Sequence, residues 1–293
     1  MSSVVERAQP TIFDARVRPP YREFVDTVNY DPKLANSPTR IGTTPPRSLT
    51  DRSMDSFIAE MDESGVVRAL VMGRRAAPSF GLIPNTSLRA LLDEYPDRFW
   101  CFGGVGEASA RANVEQARYC IEDLDLSGIA VDPGWQNVPL MADAPELYPL
   151  YGYCESRGVP VALTMSVLVG PTLDHCHPSS VQNIASAFPQ LQIVVVHSAW
   201  PWVMQILGVA FRNPNVWLLP DFYLNIPNLP GHELFVDAAR SFLGDRLLYG
   251  SSYPSRPLGK SAEEFRSLPL DPSIRDACMS TNLSRLLGLE GHA

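Results

Sequence analysis

Arg16 and Arg18 occupy alternate positions where the apolar run that opens at Thr11 comes to an end. Side-chain direction in a strand repeats every two residues, so the two guanidiniums should point the same way. Two planar, permanently charged donors make a clamp for a carboxylate, held through bidentate charge-assisted hydrogen bonds. The competing reading pairs them with Asp14 or Asp132 as structural ion pairs. His197 follows the run Ile193–Val196 and can give or take a proton near neutral pH, and Asp132 could orient it or act as a base itself. Asp221 and Tyr223 follow a seventh apolar run, and Ser252 and Tyr253 an eighth; all four can add hydrogen bonds to a bound ligand, as can Thr164 at the end of a fifth. Ser252 has no evident base beside it, so it is a poor nucleophile candidate. Arg256 is a further candidate anion contact. Trp135, Trp200 and Trp202 suit the wall of an apolar or aromatic ligand, or plain packing.

These residues share a setting. Short β-rich runs recur at Thr11–Asp14, Val67–Met72, Phe99–Val105, Gly128–Asp132, Val159–Met165, Gln192–His197, Val216–Asp221 and Arg246–Ser251. Between them lie amphipathic stretches such as Met54–Ser64 and Asn85–Tyr95, with apolar residues on one face. Strands that alternate with helices pair in parallel through right-handed crossovers, and eight such units close into a (β/α)8 TIM barrel. In that fold the C-terminal strand ends form the active-site face, which is where the candidates sit. The Pro-rich, polar stretch 19–52 after the first strand is expected to drape over the barrel mouth as an irregular insertion. Ser166–Pro178, after the fifth strand, should border the mouth as well.

Composition narrows the function. The chain has 293 residues and a formal net charge of −8, which favours a single barrel domain and gives no electrostatic reason to expect nucleic acid. No apolar run approaches the length of a membrane span and no secretory signal opens the chain, so a cytoplasmic location is expected. The five scattered cysteines read as buried thiols. A small molecule is the expected partner, and a homo-oligomer is left open.

The runs also resemble, in order, the landmarks of the amidohydrolase superfamily, in particular its aminocarboxymuconate-semialdehyde decarboxylase-like branch. Asp14-Ala15-Arg16-Val17-Arg18 resembles a first strand in which Asp-Ala precedes His-x-His, and Gly128–Pro133 the fourth-strand segment. Ile193–His197 is similar to the sixth strand with its histidine kept, Leu248–Pro254 to the eighth-strand Gly-Ser-Asp-Tyr-Pro signature, and Asn282–Leu289 to the closing helix. The resemblance implies a barrel with a metal site, yet Arg16, Arg18, Thr164 and Ser252 stand where it places metal ligands, and only His197 remains. Arginine has no lone pair to offer a cation, so the inherited site is expected to hold no metal and the protein to need no cofactor. His175 and His177 are the one place where a replacement ion could attach, with His197 or Asp132 completing its shell; capping the next helix is their alternative.

These residues lead to a metal-independent hydrolase acting on a small carboxylated substrate, a lactone or related activated ester in the first instance. A strained lactone carbonyl needs little electrophilic activation, and Arg16 and Arg18 could stabilise its oxyanion while His197 or Asp132 activates water. The alternative is a decarboxylase, lyase or isomerase acting on a carboxylated small molecule. A non-catalytic barrel that binds a ligand or partner is the reading from outside enzymology.

Overall fold

Seven strands follow one another in chain order and pair in parallel, each with the next: β1 (Ile12–Val17), β2 (Val66–Met72), β3 (Phe99–Val105), β4 (Gly128–Val131), β5 (Val161–Thr164), β6 (Ile193–Val196) and β7 (Val216–Leu219). They belong to a computed structural model that describes residues 11–31, 43–107 and 109–289. The expected eighth strand forms no continuous ladder, but its segment closes the ring. Leu218 N–H donates to Arg246 O and Leu248 N–H to Leu218 O, at 3.0 and 2.9 Å, while Ala15 N–H donates to Tyr249 O and Arg18 N–H to Tyr253 O, at 2.9 and 3.0 Å. The fold is therefore a TIM barrel in which the last stave is held by paired bridges to β7 and β1.

Helices α1 (Met54–Ser64), α2 (Asn85–Glu94), α3 (Ala110–Arg118), α4 (Tyr148–Arg157), α5 (Pro178–Ala187), α6 (Val203–Arg212), α7 (His232–Ala238) and α8 (Leu258–Arg266) alternate with the strands. Local chemistry sets their limits. Ser53 Oγ accepts from Ser56 N–H to cap the start of α1, and Gly65, at φ 74°, ends it one residue before β2 begins. Val, Ile and Leu dominate the short strands because both faces are buried, one against the helices and one in the lumen. The lumen is packed by residues such as Ala15, Met72, Phe102, Val194 and Leu219, and the closing helix Asn282–Leu286 adds Leu283 and Leu286 to the same cluster.

One irregularity aims the site. Asp14 pairs with Ala69 and Val17 with Val71, so three steps of β1 oppose two of β2 and one extra residue bulges out. Phe13 and Ala15 face the lumen, and without the bulge Arg16 would point into the helix layer; with it, Arg16 turns inward directly after Ala15. Asp14 holds the bulge by accepting, through Oδ1, the N–H groups of Arg16 and Ser251, each at 2.9 Å. Gly250 makes room: a Cβ there would lie 2.9 Å from Leu219 Cδ1 and 3.2 Å from Arg16 Cβ. The sequence reading placed both arginines in the lumen by strict alternation; they reach it through the bulge.

Of the insertion 19–52, residues 32–42 lie outside the described residues. The rest includes short turns of helix at Arg22–Asp26, Val28–Tyr30 and Arg47–Asp51; Val28 and Asn29 reach the C-terminal end of the barrel, whereas Ser48 bonds to Glu60 of α1. Tyr30 donates its hydroxyl to Arg18 O at 2.7 Å, which ties the loop to the strand it follows. All five cysteines are buried and unpaired.

Burial raises the Asp14 pKa from 3.8 to about 6, against the lowering effect of its hydrogen bonds to Ser251 and Arg16. Its charged form is therefore the costly one: stability is full below the unfolded value and is lost as pH rises through about 6. Asp14→Asn keeps an acceptor for both N–H groups, and urea unfolding at stepped pH should show wild type losing up to about 3 kcal/mol relative to this variant between about pH 4 and pH 7. Parallel curves for the two proteins would contradict it.

Candidate active site

A cavity of 310 Å³ opens at the C-terminal end of the barrel, lined by Arg16, Arg18, Arg74 and His197 on its polar side and by Phe80, Trp135 and Phe222 among its apolar residues. Each polar group comes from a strand end: Arg16 from β1, Arg18 just past it, Arg74 two residues after β2, and His197 directly after β6. Ser252, Ser255 and Ser166 add hydroxyls to the wall, and Val28 and Asn29 reach it from the loop after β1.

His197 sits between two charges. Its Nδ1 lies 2.9–3.0 Å from the Asp221 carboxylate, and its Nε2 lies 3.3 Å from Arg16 NH2. A guanidinium can only donate, so Nε2 accepts and Nδ1 carries the proton toward Asp221. Asp221 also takes Ser252 Oγ–H at 3.2 Å, Phe222 N–H at 2.6 Å and an ion pair with Arg16 Nε at 3.5 Å. Burial lowers the His197 pKa, Asp221 opposes that, and the charge of Arg16 lowers it further, for a net fall. The backbone here is strained: His197, Asp221 and Ser252 have φ of 65°, 42° and 63°, in the left-handed region that non-glycine residues avoid. Such strain costs on the order of 1–3 kcal/mol per residue and gathers where geometry serves a site.

A second network lies across the mouth. Arg74 Nε pairs with Asp132 Oδ2 at 3.3 Å, its NH1 donates to Asn29 Oδ1 at 3.0 Å, and its guanidinium lies 4.6 Å from the centre of the Trp135 ring. Burial alone would raise the Asp132 pKa, but Arg74, Arg18, the Thr164 hydroxyl and Arg16 together bring it below its ordinary value. Asp132 is thus held ionised. Arg74 NH2 is buried without a partner.

Arg18 differs from both neighbours. It is only 3% exposed, its Nε has no partner, and no hydrogen bond or ion pair among the described residues engages its guanidinium. Burial, then the charges of Arg74 and Arg16, push its pKa well down, and the more distant carboxylates of Asp132 and Asp221 offset this only in part. A guanidinium keeps its proton in proteins, so this push amounts to a standing demand for an anion beside it.

The residues singled out from sequence separate into groups. Arg16, Arg18, His197 and Ser252 meet on the cavity wall. Asp132, Thr164 and Asp221 stand behind it, and His197 is oriented by Asp221, not by Asp132, which serves Arg74. Tyr223 lies beside the wall, stacked on Trp200 at 5.1 Å with its hydroxyl 3.5 Å from Ser166 Oγ. Tyr253 is not brought to the cavity: its hydroxyl meets Ser48 Oγ at 2.6 Å and its ring packs on Phe57. Arg256 pairs with Glu264, and of the three tryptophans Trp135 lines the cavity. Arg74 was missed, although an arginine that follows the run Leu70-Val71-Met72-Gly73 carries the same strand-end signal as Arg18. Asn29, Phe80 and Phe222 lie in loops and turns where no periodicity marks them.

A divalent ion does not fit this donor set. Thr164 is buried outside the cavity lining, Ser252 donates to Asp221, and His197 Nε2 already has a guanidinium 3.3 Å away. At about 4 Å each arginine would repel a doubly charged ion by roughly 8 kcal/mol at an effective dielectric of about 20. Among the described residues no group of three or more His, Cys, Asp or Glu is placed to hold a metal. His177 caps α5 by accepting Ser179 N–H at 3.3 Å, and His175 Nδ1 lies 3.3 Å from Thr172 O, so that pair forms no alternative centre.

A barrel with its polar residues at the C-terminal strand ends defines an enzyme of the TIM-barrel class. Residues 19–289 match the Amidohydrolase family profile, and the chain belongs to that family. It is 35% identical to an uncharacterised TIM-barrel protein from Bordetella bronchiseptica, with a TM-score of 0.92 over 96% of this chain and 99% of that one. A 2,6-dihydroxybenzoate decarboxylase from Rhizobium superposes with a TM-score of 0.73 at 17% identity, over 96% and 99% of the two chains. A gamma-resorcylate decarboxylase from Rhizobium sp. (strain MTP-10005) is 22% identical over 257 residues, covering 74% of this chain and 79% of the relative. These matches correct the expectation of a lactone hydrolase: the characterised relatives break a carbon–carbon bond at a carboxyl group, which was the alternative reading. No helix among the described residues is long and apolar enough to cross a membrane.

If Arg18 awaits an anion, its removal should help the free protein and harm the complex. Arg18→Met is expected to raise unfolding stability by about 1–3 kcal/mol and to weaken benzoate binding by roughly 1.5–3 kcal/mol, or 10–100-fold. Chemical unfolding and calorimetry check the two halves; a less stable variant with unchanged affinity would make Arg18 a structural cation.

Proposed function

We propose that the protein decarboxylates a small aromatic carboxylic acid, releasing CO2. The observation that carries this reading is the buried, unpartnered Arg18 guanidinium beside Arg16 in a cavity otherwise walled by Phe80, Trp135 and Phe222. Its volume of 310 Å³ lies at the lower end of ligand sites, which run from about 300 to 1,000 Å³, and suits one substituted ring. The gamma-resorcylate decarboxylase relative supports the same chemistry.

In this reading the arginines hold the carboxylate and any neighbouring ring oxygen, and the aromatic side chains hold the ring. His197 is the one cavity-lining group among the described residues whose ordinary pKa lies near neutrality, and it supplies the proton. Once His197 has taken up a proton from solvent at Nε2, the imidazolium Nε2–H protonates the ring carbon that bears the carboxylate. The bond to the carboxylate then breaks, its electron pair returns to the ring, and CO2 departs. Solvent restores the proton to His197, so the reaction is redox-neutral and consumes one proton. Asp221, 2.9 Å from Nδ1, steadies the imidazolium through the step. Substrate binding helps to arm the acid: burial is the main cause of the lowered His197 pKa, and an anion that neutralises Arg16 and Arg18 relieves the part that their charges add. A grip on the carboxylate common to ground and transition states lowers KM without speeding chemistry, so the rate rests on proton transfer.

Loss of a 2,6-dihydroxybenzoate or other hydroxybenzoate spectrum with matching CO2 release tests the activity, and the variants should divide by role. His197→Asn lowers kcat by roughly 10²–10⁴-fold with little change in affinity. Arg18→Ala acts mainly on KM. Because His197 must be protonated, kcat/KM falls as pH rises past a point below the ordinary histidine value, and the same limb in kcat lies at higher pH. Tight binding of the acids without turnover of any would instead make the barrel a carboxylate receptor.

A further inference from the structure

We infer that the Arg16–Arg18 guanidinium pair has taken over the place and the charge of the divalent ion that the family pattern implies, so that the site is a metal-free electrophile built from side chains. The inference concerns the cation in the site and rests on the proposed function only for the reaction the pair serves.

Three observations on different residues converge on it. First, the retained member of the ligand set, His197, directs Nε2 at Arg16 NH2, 3.3 Å away, so the lone pair that would meet an ion meets an N–H instead. Second, the remaining family positions are engaged or withdrawn: Ser252 donates to Asp221 at 3.2 Å, and Thr164 is buried outside the cavity lining. Third, Arg18 is buried with its Nε unpartnered and with no direct ion pair or hydrogen bond to its guanidinium among the described residues, as a cation kept for a ligand would be. Two guanidiniums carry the formal charge of one divalent ion. The replacement works only as a set, because a lone arginine among histidine and aspartate ligands would leave donors unsatisfied and a cation repelled.

The exchange alters the chemistry that remains. A guanidinium presents several N–H donors in one plane and suits a carboxylate or phenolate edge. It offers no vacant orbital to bind and acidify water, so the pair favours reactions that need an anion held and a proton delivered over those that need hydroxide. It also leaves Nε2 free of coordination, within reach of a ligand in the cavity.

Full-length protein, stripped with chelator and dialysed, tests this with benzoate as the anion and Mn2+ or Zn2+ as the ion. Benzoate affinity should be equal before and after chelation and with either metal restored, and elemental analysis should find far less than one ion per chain. Neither ion should raise the melting temperature. The combined reversal Arg16→His, Arg18→His, Thr164→His and Ser252→Asp should gain a metal-dependent rise in melting temperature and lose benzoate affinity in the metal-free state. A stoichiometric ion in wild type, lost in His197→Asn, would overturn the inference whether or not the reversal variant folds; so would benzoate binding that requires metal. Metal-free benzoate binding with no turnover of any aromatic acid would leave it standing and count against decarboxylation alone.

Discussion

The contact between Arg16 and His197 governs the rest of the site. A permanent cation 3.3 Å from the imidazole fixes which ring nitrogen carries the proton, shares Asp221 with that ring through an ion pair at 3.5 Å, and through Asp221 engages Ser252. It also sets an N–H donor against Nε2, the ring nitrogen whose lone pair is free of the Asp221 contact. With Arg18 close behind and Arg74 opposite, the mouth holds more guanidinium charge than Asp132 and Asp221 answer directly, and Arg18 is the group left over. Unpaired buried charge is strongly destabilising, so its persistence points to a ligand that completes it.

The barrel makes this arrangement possible. Its lumen is filled by apolar side chains up to the level of Ala15 and Met72, and the closing helix packs on the same cluster. The strained turns after β6 and β7 and at Ser252 are borne by that rigid base. The β1 bulge decides whether an arginine faces ligand or helix layer, and it depends on one buried carboxylate, Asp14, bridging the first strand and the last stave. Closure of the ring and aim of the clamp are thus the same set of hydrogen bonds.

Much of the fold was legible in the sequence because parallel, doubly buried strands are short continuous apolar runs. Phe99–Val105 and Met54–Ser64 were read to the residue, and β1 was read short because Arg16 interrupts the hydrophobic signal inside a strand that continues to Val17. The inward direction of the arginines came from a period-two rule that the bulge breaks and restores. Pairings across the barrel were less accessible: the assignment of Asp221 to His197 and of Asp132 to Arg74 depends on ring order and loop conformation, which no local pattern encodes. Tyr253 shows the limit in the other direction, since a strand-end position guided by family resemblance led to a side chain that packs outside the lumen. The choice of reaction was least legible, because oxyanion binding by arginine serves ester hydrolysis and decarboxylation alike.

Decarboxylation through a histidine acid leaves an isotopic record that neither hydrolysis nor passive binding can produce. With carboxyl-13C 2,6-dihydroxybenzoate in D2O and chelator-treated enzyme, the account predicts one labelled CO2 per ring and a single deuteron at the carbon that bore the carboxylate. Both signals should be lost together in His197→Asn. An unchanged labelled acid, or label release that depends on added metal, would contradict it.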